Sequence, residues 1–156
     1  MKKTLTTEQV LAAWNVLQAA KYAKLDDADK VKVWKVTRVL KPIATKFDED
    51  SKDAAEKMRP TEDFNERLAK AQEYERIIKT PNFDAQTLPM GAAEYGAFID
   101  EFKKYNRLVA DTVQEFAQKE VELELETISE DAFGKLMASN DWNMGQVTAL
   151  DGILTE

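Results

Sequence analysis

The sequence contains no cysteine and no histidine, and only five glycines and four prolines. Without cysteine, the chain has no disulfide, no thiolate nucleophile and no sulfur ligand for a metal. Without histidine, it lacks the commonest general base and the commonest metal ligand. No apolar run approaches the roughly 20 residues that a membrane-spanning helix needs. We therefore expect a protein that is not an enzyme and has no cofactor, no metal site and no membrane partner.

The length of 156 residues is typical of one folded domain. Hydrophobic residues make up 44% and charged residues 33% of the chain, which is an ordinary balance for a folded soluble protein. The formal net charge of −7 argues against general binding of nucleic acid. Polar residues from Thr6 onward interrupt the apolar segment that a signal peptide would need after Met1–Lys3. We expect the protein to stay in the cytosol or to join an assembly there.

The stretch from Ala92 to Ile128 has the clearest pattern in the chain. Seven side chains recur in it at steps of three and four: Tyr95, Phe98, Phe102, Tyr105, Val109, Thr112 and Phe116. This spacing predicts one face of a long amphipathic helix. After Lys119 the period changes to two, because Glu120, Glu122, Glu124 and Glu126 alternate with Val121, Leu123, Leu125 and Thr127. Such alternation predicts an antiparallel strand with one dry and one solvated face.

The first half of the chain predicts two more helices. Thr6 and Gln9 have the spacing of a capping box, which predicts a helix that begins at Thr7 and continues to the Asp26–Asp27 pair. A second helix is predicted from about Ala28 to Met58, with a kink at the internal Pro42. Its apolar residues follow a three-four repeat: Val33, Val36, Leu40, Ile43, Phe47 and Ala54.

The second half predicts a third helix from Glu62 to Lys79 and a loop from Thr80 to Gly91. The predicted strand needs a partner for its backbone groups. Either part of this loop or an identical strand from a second subunit is expected to supply it. Ser129 is placed to cap a short helix, and a last helix is predicted from about Asn143.

The predicted fold is mainly α. Long helices pack lengthwise, accompanied by a minor β element and a small helical C-terminal appendage. We expect one helical domain over residues 1–156, which divides into a helical hairpin (1–58), a variable helix and loop (60–91), the long helix and strand (92–128) and a helical tail (129–156).

Two acidic clusters raise the question of metal binding or acid–base catalysis. One consists of Asp48, Glu49, Asp50 and Asp53, and the other is formed by the four alternating glutamates. The first lacks the glycine and the ligand spacing of a calcium loop, so a solvated helix face is favoured. Evenly alternating charges on a strand are far more often its solvated side, where they also discourage aggregation through strand edges. We expect neither cluster to bind a metal or to catalyse a reaction.

The first half of the second helix is basic within an acidic protein. Its cations are Lys30, Lys32, Lys35, Arg38, Lys41 and Lys46. They are spread over several faces without a nucleic-acid-reading motif. A complementary protein surface therefore explains them better than phosphate binding. One such surface is the predicted strand that carries Glu120, Glu122, Glu124 and Glu126, which we call the glutamate strand. Val31 and Trp34 lie off the main apolar stripe and belong either to a second core layer or to an interface. We predict an interface formed by Val31, Trp34, Lys35 and Arg38.

The order of these segments resembles a family of small tailed-bacteriophage proteins of unknown function. The resemblance rests on Leu40, Pro42 and Phe47 in a long basic helix, on the E-V-E-L-E-L segment Glu120–Leu125, and on a tail with Ala149–Leu150 and Ile153–Leu154. Residues 60–89 lie outside it and have the character of an insertion. The resemblance implies a phage origin and a role in building the particle. It supplies no catalytic residue.

Two functions follow as expectations. The first is a non-enzymatic phage structural or assembly protein that packs against copies of itself or another phage protein, in the host cytoplasm or in the virion. The alternative is a phage-encoded inhibitor that binds a host defence protein, with its acidic surface acting as a nucleic-acid mimic. An enzyme is disfavoured because the chain has no nucleophile–base pair and no glycine-rich phosphate loop. We expect no nucleic-acid and no small-molecule ligand.

Overall fold

The computed structural model of the chain describes residues 1–156 and contains six α-helices and two short strands. In chain order they are β1 (Lys2–Thr6), α1 (Thr7–Leu17), α2 (Asp27–Lys57), α3 (Phe64–Ile78), α4 (Ala92–Gln118), β2 (Glu120–Glu124), α5 (Glu130–Ser139) and α6 (Met144–Leu154). The prediction of a mainly helical fold with a minor β element is confirmed.

Three helices begin where the capping signals predict. Gln9 donates its backbone N–H to the Thr6 side chain at 3.2 Å, and Thr6 donates its own N–H to the Gln9 side chain at 2.9 Å, which completes the capping box of α1. The Ser129 side chain caps α5 by accepting from the Ala132 N–H, and Asn143 caps α6 in a second capping box with Gln146. α2 continues through Pro42 without a break, as predicted, and the expected kink stays a prediction.

α1 ends at Leu17, earlier than the sequence indicates. The segment that follows is held by Asn140 of the α5–α6 connection. Lys21 donates its backbone N–H to Asn140 Oδ1 at 2.8 Å, and Asn140 Nδ2 donates to the Lys21 carbonyl at 2.9 Å. Because a distant side chain satisfies these backbone groups, the segment does not need helical hydrogen bonds.

The predicted strand pairs with a segment that was not expected. β2 is antiparallel to β1, with Lys2 opposite Glu124 and Thr6 opposite Glu120. The expectation that the 80–91 loop would pair with it is wrong, and a second subunit is not needed to satisfy it. The loop instead contains a short 3₁₀ turn at Ala85–Thr87. β2 is also shorter than predicted, since its regular pairing ends at Glu124.

The chain divides into two compact units, so the single-domain prediction stays a prediction. The first unit comprises Met1–Asp50 and Gln114–Glu156, and the second comprises Ser51–Val113. The core of the first unit is largely aliphatic, and its fully buried side chains include Leu17, Val33, Val36, Leu40, Leu125, Leu136, Leu150 and Leu154. α5 and α6 contribute to this core directly, so the C-terminal helices are an integral part of the first unit.

The core of the second unit is aromatic. Phe64 is fully buried, with its ring centroid 5.5 Å from that of Phe98 and 4.7 Å from that of Tyr105. Tyr74 and Tyr95 stack with centroids 4.2 Å apart. These tyrosine and phenylalanine side chains come from α3 and α4, so the aromatic stripe of the long helix is core, as the helical spacing predicts.

Candidate protein-interaction surface

Two large apolar side chains of α2 face solvent within the first unit. Trp34 is 54% exposed and Val31 is 47% exposed. The opposite face of the same helix buries Val33, Val36 and Leu40. Tryptophan is enriched at protein interfaces, where its large apolar ring can be covered. With about half of its surface in water, Trp34 is not part of a second core layer.

Arg38 lies one helical turn after Trp34 and covers its ring. The guanidinium carbon is 4.8 Å from the ring centroid, which is a cation–π contact worth about 0.5–1 kcal/mol at an exposed site. Arg38 forms no ion pair with a carboxylate of this chain. Its five N–H donors are thus held in place by the indole ring and remain available to an acceptor outside the chain.

Trp34 also borders a groove of about 340 Å³, which we call the tryptophan groove. Its lining consists of Trp14, Leu17, Gln18, Tyr22, Trp34, Thr37, Arg38 and Lys41. The lining holds three aromatic side chains and two cations but no carboxylate. Burial raises the pKa of the Tyr22 phenol, whose hydroxyl donates to the Leu17 carbonyl at 3.1 Å. The groove therefore suits an apolar group that carries negative charge.

Lys35 points away from the tryptophan groove toward the glutamate strand. Its Nζ lies 3.3 Å from Glu126 Oε1, and both side chains are about half exposed. Lys35, Arg38, Glu124 and Glu126 line a second groove of about 470 Å³. The attraction between the basic helix and the glutamate strand therefore exists within one chain. The sequence had indicated a complementary surface on another subunit. An exposed ion pair of this kind contributes only about 0–1 kcal/mol.

The glutamate strand has the predicted solvated side. Glu120, Glu122, Glu124 and Glu126 are exposed, whereas Leu125 is buried. Glu124 accepts a hydrogen bond from the Met1 amino group at 2.9 Å. Glu120 and Glu122 form no ion pair, because Thr6 and Thr4 lie opposite them in the sheet. Two carboxylates at this end of the strand are therefore without a cation.

The four predicted interface residues are only partly brought together. Val31, Trp34 and Arg38 share the solvent face of α2, and Lys35 lies beside them but is engaged by Glu126. Lys41 lines the tryptophan groove but was not among the predicted interface residues. Its spacing of seven residues from Trp34, which is two helical turns, is the signal that places it on the same face.

The other acidic cluster is a solvated helix face with internal ion pairing. Lys46 Nζ lies 2.6 Å from Asp50 Oδ2, and this hydrogen bond raises the pKa of Lys46. No three acidic side chains of the chain converge closely enough to hold a metal ion. No helix has both the length and the apolar character that crossing a membrane requires.

No protein-family model matches the chain, and no match was found among curated proteins or solved structures.

Proposed function

We propose that this chain is a non-enzymatic protein that binds another protein through the exposed face of α2. This surface, which we call the α2 face, carries Val31, Trp34, Arg38 and Lys41. The observation that supports it best is the 54% exposure of Trp34, with Arg38 stacked on the ring. Tryptophan and arginine are enriched among the residues that dominate binding energy at protein interfaces. The absence of cysteine and histidine from the chain also favours binding over catalysis.

The α2 face is chemically suited to a specific contact. Trp34 leaves roughly 100 Å² of ring in water, and covering it would contribute about 2.5 kcal/mol at the usual value per unit of apolar area. Val31 adds an aliphatic neighbour, and Arg38 and Lys41 add positive charge at the edge. Apolar burial then supplies affinity, while the cations select an acidic partner surface.

The biological setting of the proposal comes from the sequence resemblance. The basic helix with Leu40, Pro42 and Phe47, followed by the segment Glu120–Leu125, resembles small tailed-phage proteins. We place the protein in the host cytoplasm or in the virion, as a structural or assembly component that binds itself or another phage protein.

An inhibitor that mimics nucleic acid is the second candidate, and the glutamate strand gives it less support. Alternate residues of a strand are about 6.6 Å apart, whereas one strand of B-DNA carries a charge every 3.4 Å or so. Glu124 and Glu126 are also neutralised by the Met1 amino group and by Lys35. The row therefore presents about half the charge density of a DNA strand, and half of its members are already paired.

Fractionation of infected cells tests the proposal. We expect the chain to co-sediment with particles or assembly intermediates, as measured by quantitative mass spectrometry of the fractions. The variant Trp34→Ala/Arg38→Ala should lose this association. The matched control is Leu108→Ala, which removes a side chain that is 52% exposed in the second unit and should leave the association unchanged.

Two outcomes would contradict the proposal. One is a chain that is absent from every particle and intermediate fraction. The other is a chain that instead purifies in stoichiometric complex with a host DNA-binding protein, in a manner that depends on Glu120 and Glu122. The second outcome would establish the nucleic-acid mimic.

A further inference from the structure

The surface around α2 carries separated charges of both signs. Arg38 and Lys41 border the tryptophan groove and form no ion pair within the chain. Glu120 and Glu122 likewise form none. Between the two sets lies the ion pair of Lys35 with Glu126. One surface of the first unit therefore has an unpaired basic patch and an unpaired acidic patch on either side of a neutralised centre.

The two patches extend from the same groove. Glu124 and Glu126 line the same groove as Lys35 and Arg38. Side chains at alternate positions of a strand point to the same side, about 6.6 Å apart. Glu122 and Glu120 therefore continue this row away from the groove, while Lys41 lies one turn beyond Arg38 in α2.

A surface with this layout is complementary to itself. A two-fold axis near the neutral centre places the basic patch of one copy opposite the acidic patch of the other, and the same contact then occurs twice. We propose that the partner of the α2 face is a second copy of this chain, bound with Arg38 and Lys41 opposite Glu120 and Glu122 of that copy. This inference rests on the proposed function and names the partner.

Trp34 supplies the apolar part of this contact. It lies next to the basic patch, so the second copy covers its exposed ring when the charges meet. The overall charge of −7 per chain does not prevent association, because charges farther apart than about 8 Å are largely screened at physiological salt. The charge pairs in direct contact therefore determine whether two copies attract or repel each other.

The same surface is poorly suited to nucleic acid. A phosphate strand that followed Arg38 and Lys41 into the second groove would meet Glu124 and Glu126. Arg38 also covers one face of the Trp34 ring, which reduces the area on which a base could stack. A short acidic surface fits between these features, whereas a continuous polyanion does not.

Charge reversal on the full-length chain tests the dimer. We expect the unmodified chain to have the mass of a dimer by light scattering and sedimentation. Both Arg38→Glu/Lys41→Glu and Glu120→Lys/Glu122→Lys should weaken dimerisation by about 100-fold or more, because each places like charges in contact. An equimolar mixture of the two variants should form a heterodimer, since both of its contacts again join opposite charges.

The control is Lys103→Glu/Lys104→Glu, which makes the same change in net charge on an exposed part of the second unit and should leave the dimer intact. Circular dichroism establishes that each variant is folded. Trp34→Ala should weaken the dimer at every salt concentration. Added salt should weaken the dimer of the unmodified chain more than that of any surviving charge-reversed form.

Three results would overturn the inference: a monomer at all accessible concentrations, a dimer that survives both reversals, and folded variants that fail to pair when mixed. These results are separable from failure of the proposed function. A monomeric chain that still associates with particles rejects only the dimer. A dimer that is absent from particles rejects only the phage assembly role.

Discussion

Each unit of the molecule contains an arginine stacked on an aromatic ring, and the two contacts differ in their surroundings. In the second unit, Arg67 lies 5.1 Å from the centroid of Phe98, which is fully buried. In the first unit, Arg38 lies 4.8 Å from the centroid of Trp34, which is 54% exposed. The distances are nearly equal, so the stacking itself does not distinguish a structural contact from a binding surface.

The difference lies in the remaining donors of each guanidinium. Arg67 donates two hydrogen bonds to Glu101, at 3.3 and 2.7 Å, and thereby ties α3 to α4. Arg38 has no carboxylate partner. An arginine with a satisfied fork stabilises the fold, whereas one held by a ring alone keeps its fork available for a partner. The two arginines therefore differ in their unused hydrogen-bonding capacity and not in the aromatic contact.

The largest difference in the free energy of unfolding is expected between the variants that replace these two rings by alanine. Phe98→Ala should lower the free energy of unfolding by about 3–5 kcal/mol, because it leaves a cavity within the aromatic core. Trp34→Ala should lower it by only about 0.5–1 kcal/mol, the value of the lost cation–π contact with Arg38, because about half of the ring is already in water. Denaturant unfolding followed by circular dichroism measures both values, at a chain concentration low enough to exclude association. Equal losses in the two variants would remove the distinction between the rings.

A smaller effect is expected from removing the two guanidinium groups. Arg67→Met should cost about 1 kcal/mol, because Glu101 loses two hydrogen bonds; the side chains are 25% and 30% exposed, so solvent screening reduces the loss. Arg38→Met should cost the monomer only about 0.5 kcal/mol, the lower value for an exposed cation–π contact, and should mainly weaken association. If Arg38→Met proved the more destabilising of the two, the assignment of a structural role to Arg67 alone would be wrong.

The smallest effect is expected on the titration of two tyrosine hydroxyl groups, those of Tyr95 and Tyr22. A hydrogen bond from the Tyr95 hydroxyl to Glu75 raises the pKa of Tyr95 to about 12. The folded pKa exceeds the ordinary value of about 10, so this contribution to stability is complete below pH 10 and is lost as the pH rises toward 12. Ultraviolet titration of the phenolate should show a late-titrating tyrosine that Tyr95→Phe removes.

Glu75→Gln sharpens the contrast between the units. It should lower the pKa of Tyr95, because the hydroxyl then donates its hydrogen bond to a neutral amide oxygen in place of a carboxylate whose charge also disfavours the phenolate. The pKa of Tyr22 is raised by burial, so it should not respond. A Tyr95 titration unaffected by Glu75→Gln would show that the hydrogen bond to the Glu75 carboxylate is not the cause of the raised pKa.

The sequence contained most of the information about the helices. Thr6 with Gln9, Ser129 and Asn143 mark helix starts, and the three-four repeats separate Val33, Val36 and Leu40 from Trp34. These signals are readable because a cap involves neighbours within one turn and a buried stripe follows the helical period. The alternation of the glutamates likewise predicted the solvated side of β2.

Pairing between distant segments was decided by the tertiary structure alone. Lys2–Thr6 is too short and too polar to be predicted as a strand, and its pairing with β2 joins residues as far apart in the sequence as Lys2 and Glu124. Packing of distant segments also forms the ion pair of Lys35 with Glu126 and the grooves on either side of Arg38. Local sequence determines which way a side chain points from its own element. Only the packing of elements determines what that side chain meets, and therefore which charges remain unpaired at the surface.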